Sequence, residues 1–126
     1  MRIQQIYAVY FSPTENTRRI VCQGASEAAR FFQVPCRAIS LNLPKDRETV
    51  HTFSAGDLVI VGGPTYAGKL PNKILPTYQE KLIGKGALAL AVVTYGNRSF
   101  DNSLAELCET LDGNGFRTVA AGAFVG

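Results

Sequence analysis

The stretch IYAVYFSPTENTRR at residues 6–19 decides the fold of this chain. Its first six residues are apolar or aromatic, which is typical of a buried strand, and the run stops at Ser12 and Pro13. A hydroxyl-rich turn and a helical pattern follow at once. A strand that turns directly into a helix leaves backbone N–H groups without acceptors at the start of the helix. With the positive end of the helix dipole, these groups predict a phosphate-binding site; helix capping by the hydroxyls is the simpler alternative.

Strand-like and helical segments alternate along the rest of the chain. We predict strands at residues 2–11, 36–41, 57–63, 86–94 and 116–124, helices at 16–32, 72–82 and 99–112, and a short irregular helix within 43–53. The runs LVIV and ALALAVV are apolar at every position, as in strands that are buried on both faces. Pro76 should truncate or kink the helix that contains it. This alternation predicts one α/β domain over residues 1–126, with a doubly wound parallel sheet between helices.

Composition argues against several other classes of protein. The chain has 126 residues, 46% of them hydrophobic, and a net charge of +3. Lysine and arginine form no basic run with interleaved aromatics, so we expect no nucleic-acid partner. No apolar run approaches the ~20 residues that span a bilayer, and the N-terminus has no signal-peptide pattern. Cys22, Cys36 and Cys108 are odd in number and widely spaced, which predicts small buried side chains, no metal site and a cytoplasmic location.

Three polar loops follow strands of the predicted sheet at their carboxyl ends. Their sequences are SPTENT at residues 12–17, GGPTYAGKLP at 62–71 and TYGNRSFD at 94–101. Ligands of parallel sheets bind outside the carboxyl ends of the strands, so these loops should meet at one rim. They contain hydroxyls, glycines, amides and tyrosines, but no pair of carboxylates and no Ser/His/Asp set. This composition favours a planar, phosphorylated ligand over hydrolytic chemistry.

These three loops resemble the FMN-binding loops of the flavodoxin family. Residues 12–17 resemble its phosphate loop, of the form S/T-x-T-G-x-T, while 64–68 and 94–98 resemble the two loops that flank the isoalloxazine ring. In particular, the chain is similar to the flavodoxin-like half of two-part proteins that join a flavodoxin domain to a ferredoxin domain with iron–sulfur clusters. Those proteins carry YFSPTGNTR, YAG and TYGNR in the same order. The resemblance covers nearly the whole chain and implies a five-stranded sheet of order 2-1-3-4-5.

The resemblance also implies the cofactor, FMN, and a role for each loop. The first loop would hold the phosphate, and Tyr66 and Tyr95 would flank the ring. Backbone groups would meet the N5 and pyrimidine edges of the ring, Arg98 would offset charge on the reduced flavin, and Phe100 would cover the rim of the ring. Ordinary packing or solvation is the alternative for these four side chains. The implied site comprises Ser12, Thr14, Glu15, Asn16 and Thr17, then Pro64, Thr65, Tyr66, Ala67 and Gly68, and then Thr94, Tyr95, Gly96, Asn97, Arg98 and Phe100.

Two features depart from the family pattern. Glu15 stands where the family has glycine, and its negative charge should weaken phosphate binding. The helix that follows the fifth strand in the family is missing, and so is a cysteine-rich ferredoxin part. Apolar side chains within 59–61, 87–93 and 119–124 should therefore be open on one face of the sheet. We expect a second copy of the chain, or another segment of its parent protein, to cover them.

We therefore expect an FMN-binding electron-transfer domain whose partner is a redox protein, such as a ferredoxin-like domain or a reductase. Two alternatives stay open. One is a flavodoxin-fold interaction module that has lost FMN, with Glu15 as the trace of that loss. The other is an FMN-dependent reductase of a quinone-like acceptor.

Overall fold

A five-stranded parallel sheet forms the centre of the molecule. The computed structural model describes residues 2–66, 69–96 and 102–125. All five strands of this sheet are parallel. If the strands of this sheet alone are numbered along the chain, they lie side by side in the order 2-1-3-4-5. The predicted flavodoxin-like α/β fold is therefore confirmed. In chain order the elements are β1 (Gln5–Tyr10), α1 (Glu15–Phe32), β2 (Cys36–Ser40), a 3-10 helix (Pro44–Arg47), β3 (His51–Thr52), β4 (Asp57–Pro64), α2 (Leu75–Lys81), β5 (Leu82–Ile83), β6 (Leu88–Tyr95), α3 (Ser103–Gly113) and β7 (Arg117–Val125).

Helices cover both faces of the sheet at its central strand, as the continuous apolar runs predict. Successive side chains of the central strand β4 alternate between two cores, because the side chains of a strand point to opposite faces in turn. Val59 and Val61 lie in the larger core, which they share with the buried side chains of α2 and α3. Leu58 and Ile60 lie in the smaller core under α1. The central strand is thus packed on both sides.

A close contact at Gly62 holds α1 against β4. A Cβ atom at Gly62 would lie 2.3 Å from Cγ2 of Val21, which is far inside contact distance. The helix buries Thr17, Val21 and Ala25 toward the sheet, at the four-residue spacing of one helical face. Because glycine allows this approach, the start of α1 lies at the carboxyl end of β4. The polar loop before α1 is thereby brought next to the loop that follows β4.

Three segments differ in detail from their predicted form. The irregular helix predicted within 43–53 is a 3-10 helix of four residues, followed by β3. β3 pairs with β5 in a small second sheet that the sequence pattern did not predict. α2 has only seven residues, and Pro76 stands in its first turn, where a missing N–H breaks no helical hydrogen bond; the predicted truncation is confirmed.

Of the third predicted helix, residues 99–101 lie outside the described part of the chain. No helix in the described ranges has the length and apolarity to cross a bilayer.

The apolar face that was predicted to be open is exposed only in its outer part. Ile60 points to this face but is 3% exposed because α1 covers it, so the prediction is wrong for residues 59–61. Farther out, Leu90 and Val92 of β6 are half-buried, and Phe124 of β7 is 45% exposed. Within the described residues no helix follows β7. Leu90, Val92 and Phe124 form an apolar surface that is partly in contact with water at this edge of the sheet.

The three cysteines are free thiols that differ in exposure. Cys36 begins β2, an edge strand, and is exposed, so the prediction of a buried side chain is wrong there. Cys22 and Cys108 are half-buried, and burial raises the pKa of both thiols. Both thiols therefore stay protonated at neutral pH and are weak nucleophiles. Among the described residues, no three His, Cys, Asp or Glu side chains group together as a metal site.

Candidate functional site

The three polar loops meet at the carboxyl edge of the sheet. Parallel pairing sets Tyr10 of β1 beside Gly62 of β4, and Pro64 of β4 beside Thr94 of β6. The N–H of Thr65 then donates to the carbonyl oxygen of Thr94 at 2.8 Å, which joins the second loop to the third. The loops border a cleft of about 160 Å³, which we call the flavin cleft after the ligand that the resemblance predicts. Its described lining residues all belong to the site predicted from the sequence: Thr14, Asn16, Pro64, Thr65, Tyr66, Thr94, Tyr95 and Gly96.

The hydroxyls of the first loop have different surroundings: one caps α1 and another lines the flavin cleft. Ser12 is buried, and its hydroxyl donates to the carbonyl oxygen of Thr14 and accepts from the N–H of Arg18 at 3.0 Å. Ser12 therefore does the capping that was the simpler alternative. Thr14 precedes α1 in an extended conformation and makes no side-chain cap hydrogen bond. It lines the flavin cleft at the point where the first N–H groups of the helix lack acceptors within the helix.

A buried pair of hydroxyls joins the first loop to the third. Thr17 is 2% exposed, Thr94 is 5% exposed, and their Oγ1 atoms lie 2.7 Å apart. One hydroxyl must donate to the other, so the pair keeps one proton for a further acceptor. Thr17 does not line the flavin cleft but Thr94 does, so the spare proton reaches the cleft when Thr17 donates to Thr94. Thr17 itself does not reach the cleft, and its role in phosphate binding stays a prediction.

Glu15 forms a salt bridge with Arg18 and is not among the residues that line the flavin cleft. Its carboxylate accepts a hydrogen bond from Nη1 of Arg18 at 2.8 Å, and the two side chains are 77% and 53% exposed. This hydrogen bond raises the pKa of the Arg18 guanidinium, which stays protonated and offsets the carboxylate charge. The repulsion predicted between Glu15 and a bound phosphate should therefore be small and further reduced by salt.

Two tyrosines border the flavin cleft. Tyr66 is 53% exposed, and its backbone N–H and carbonyl group pair with those of Lys69 at 2.8 and 3.1 Å. Beside it, the hydroxyls of Thr65 and Ser103 lie 2.8 Å apart, which ties the second loop to the start of α3. Tyr95 ends β6 and is half-buried. A tyrosine from each of two loops suits stacking against a planar ligand, and their flanking of a flavin ring stays a prediction.

Five predicted site residues lie outside the described part of the chain. They belong to the second and third loops and were expected at the N5 edge, the pyrimidine edge and the rim of the flavin ring. Their roles stay predictions. These residues are Ala67, Gly68, Asn97, Arg98 and Phe100.

A larger cavity, the cationic cavity, lies beside Tyr66, which lines both cavities. Its volume is about 690 Å³, and its lining comes from the loops after β1, β2 and β4. Of its described lining residues, only Ser12 and Tyr66 belong to the site predicted from the sequence. Asn42 and Arg47 were missed because the sequence interpretation took only the loops after the first, third and fourth predicted strands. Asn42 lies two residues beyond the end of β2. The rule that ligands bind at the carboxyl ends of parallel strands would have indicated it.

The chemistry of the flavin cleft fits the phosphate end of FMN. The hydroxyls of Thr14 and Thr94, the amide of Asn16 and the start of α1 offer hydrogen-bond donors. No charged side chain occurs among its described lining residues. Pockets that enclose a drug-sized ligand usually have about 300–1,000 Å³, which exceeds the volume of this cleft. The part of the cleft that the described residues line is therefore smaller than such a pocket.

Comparison with known proteins adds no further constraint on the site. The sequence matches no model of a known protein family, and it matches no curated protein. The functional argument therefore depends on the geometry and chemistry of the residues themselves.

Proposed function

We propose that this domain binds FMN non-covalently and carries electrons. The observation that supports this function best is the convergence of three polar loops at one cleft, bordered by the start of α1 and the ends of β4 and β6. The described lining of this cleft consists of neutral hydrogen-bonding groups, two tyrosines, a proline and a glycine. It contains no histidine, carboxylate or lysine that could transfer protons at neutral pH. Such a site suits a cofactor that does its own chemistry better than it suits acid–base catalysis.

Each part of the flavin cleft has a task under this proposal. Thr14 and the N–H groups at the start of α1 bind the phosphate, which the helix dipole favours. The hydroxyl pair of Thr17 and Thr94 donates its spare proton to the same end of the ligand. Tyr66 and Tyr95 flank the ring. FMN supplies reversible electron transfer when it is bound, and the protein tunes affinity and potential through hydrogen bonds, stacking and charge.

An electron carrier needs a partner to exchange electrons with. We propose a cytoplasmic redox protein, a ferredoxin-like domain or a reductase, on the basis of the resemblance in the three loops. Tyr66, which is 53% exposed at the flavin cleft, offers such a partner an aromatic contact beside the cofactor. The apolar edge of the sheet at β6 and β7 is a separate surface, and we propose that a second copy of the chain covers it.

A binding module that has lost FMN is the second candidate function. Two observations favour it: Glu15 stands in the phosphate loop, and the described cleft is small. A third candidate, an FMN-dependent reductase of a quinone-like acceptor, needs a place for that acceptor. The cationic cavity beside Tyr66 is such a place.

Titration of the purified protein with FMN and riboflavin tests the proposal. We expect flavin absorbance to accompany the protein, and FMN to bind more tightly than riboflavin because the phosphate meets unpaired N–H donors. Equal affinity for both would contradict the phosphate assignment, and no affinity for either would favour the module without FMN. Turnover of NAD(P)H with a quinone would favour the reductase.

A variant at Thr14 tests the phosphate loop directly. Thr14→Ala should weaken FMN binding by about 1–3 kcal/mol, since a charged acceptor loses a donor, and should leave riboflavin binding unchanged. Ser26→Ala is the matched control, because Ser26 is an exposed hydroxyl on α1 that does not line the cleft. Equal effects of Thr14→Ala on the two flavins would show that Thr14 does not meet the phosphate.

A further inference from the structure

The cationic cavity has the size and the apolar surface of a ligand site. Its volume of about 690 Å³ is within the range of pockets that enclose small molecules. Phe11 and Leu70, which are 5% and 2% exposed, form part of its wall together with Tyr66. Tyr66, which is 53% exposed, offers most of the aromatic surface that a flat ligand could contact here.

Arg47 is held in position at this cavity. Its Nε donates to the carbonyl oxygen of Leu41 at 2.8 Å, and its Nη2 donates to that of Asn42 at 2.7 Å. Its Cζ also lies 5.2 Å from the centroid of the Phe11 ring. A guanidinium has five N–H groups, so these contacts fix the side chain and still leave donors for a ligand.

Asn42 adds a second oriented donor. Its Oδ1 accepts a hydrogen bond from the N–H of Ser12 at 2.6 Å, which fixes the orientation of the side-chain amide. The NH₂ group must then point away from Ser12. Since Asn42 lines the cavity, its NH₂ group is available to an acceptor there.

The charge of this cavity is positive. Lys69 and Lys73 line it in addition to Arg47, and no carboxylate occurs among its described lining residues. Two nearby carboxylates accept hydrogen bonds from backbone N–H groups. Glu106 accepts from the N–H of Leu70 at 3.0 Å. Asp46 accepts from the N–H of Leu43 at 3.1 Å. Three cations that no lining carboxylate neutralises favour an anionic occupant.

We propose that the cationic cavity binds a small aromatic anion, namely a ring that carries a carboxylate or a phosphate. The anion meets Arg47, Asn42 and the two lysines, and the ring lies against Phe11, Leu70 and Tyr66. Tyr66 lines both this cavity and the flavin cleft, which share no other described lining residue. Binding there requires no flavin, so the inference holds or fails independently of the proposed function.

NMR titration with three probes of one shape tests the proposal. The probes are 2-naphthoate, 2-naphthyl phosphate and neutral 2-naphthol, and the reporters are the Nε–H of Arg47 and the amide of Leu70. We expect at least one anion to bind about tenfold more tightly than 2-naphthol, as charge-assisted hydrogen bonds require. The tighter anion identifies the preferred group. Equal affinity for all three, or shifts confined to β6 and β7, would overturn the proposal.

A pair of double variants separates a local effect from the overall charge. Lys69→Gln with Lys73→Gln should weaken binding of the anion several-fold, because both side chains are exposed and line the cavity. Lys45→Gln with Lys81→Gln removes the same charge outside the cavity and should have little effect. Equal effects of the two pairs would overturn the proposal. Displacement of FMN by the bound anion would overturn it as well, because the two sites would then be one.

Discussion

The hydroxyl pair of Thr17 and Thr94 allows a structural role to be separated from a binding role. The two Oγ1 atoms lie 2.7 Å apart, and both residues are almost completely buried. Valine has the branched shape of threonine without the hydroxyl. The variants Thr17→Val and Thr94→Val therefore remove one hydroxyl each with little change in volume, and the double variant removes the hydrogen bond entirely.

The expected stabilities follow from the burial of the pair. Thr94→Val leaves the hydroxyl of Thr17 buried without its partner, which should lower the free energy of unfolding by about 1–3 kcal/mol. Thr17→Val should lower it less, because the hydroxyl of Thr94 still reaches the cleft. The double variant leaves no such group, and its stability should be within about 1 kcal/mol of the wild-type value. The two substitutions should therefore be strongly non-additive.

FMN affinity should follow a different order. The double variant has no spare proton at the flavin cleft, so its dissociation constant for FMN should rise about tenfold even though the protein is stable. Riboflavin affinity should change little if the missing donor meets the phosphate, as we propose.

Urea unfolding followed by circular dichroism gives the stabilities, and quenching of flavin fluorescence gives the affinities. Thr52→Val is the matched control, since Thr52 is exposed on β3, away from the cleft. Additive losses of stability would refute the hydrogen bond between the two hydroxyls. A stable double variant with unchanged FMN affinity would refute their part in phosphate binding.

Four further predictions concern single side chains. Glu15→Gly should tighten FMN binding less than about twofold at low salt and not at all at high salt, because Arg18 already offsets the carboxylate; a tenfold gain in titration would contradict this. Thr118→Val should raise the free energy of unfolding by up to ~1 kcal/mol, because Oγ1 of Thr118 is buried without a partner among the described residues; a loss of stability in urea unfolding would contradict it. Burial lowers the pKa of His51 below its usual 6.5, so the unfolded chain takes up the proton first. The free energy of unfolding should therefore fall as the pH drops below 6.5. In urea unfolding, the free energy of His51→Gln should depend less on pH than that of the wild type. Phe124→Asp should shift sedimentation from dimer to monomer if a second copy covers the apolar edge, and a wild-type protein that is already monomeric would exclude that pairing.

The main elements of the fold could be predicted because each depends on short-range periodicity. The apolar runs before Ser12 and after Asp57 indicate strands buried on both faces, and the spacing of Val21 and Ala25 indicates one face of a helix. Parallel strands carry their carboxyl ends to one edge, so the meeting of the three loops followed from the same pattern. The pairing of β3 with β5 was missed because each strand has only two residues, too few to show a period.

Only the tertiary structure decided which polar groups are paired and which are left for a ligand. Ser12 and Thr14 look alike in the sequence, yet one caps α1 and the other lines the flavin cleft. Thr17 and Thr94 are 77 residues apart, and no local pattern relates them. The cationic cavity likewise unites Arg47 with lysines from a distant loop. Such contacts depend on how closely the helices and loops pack on the sheet, whereas sequence periodicity reports only which face of each element is apolar.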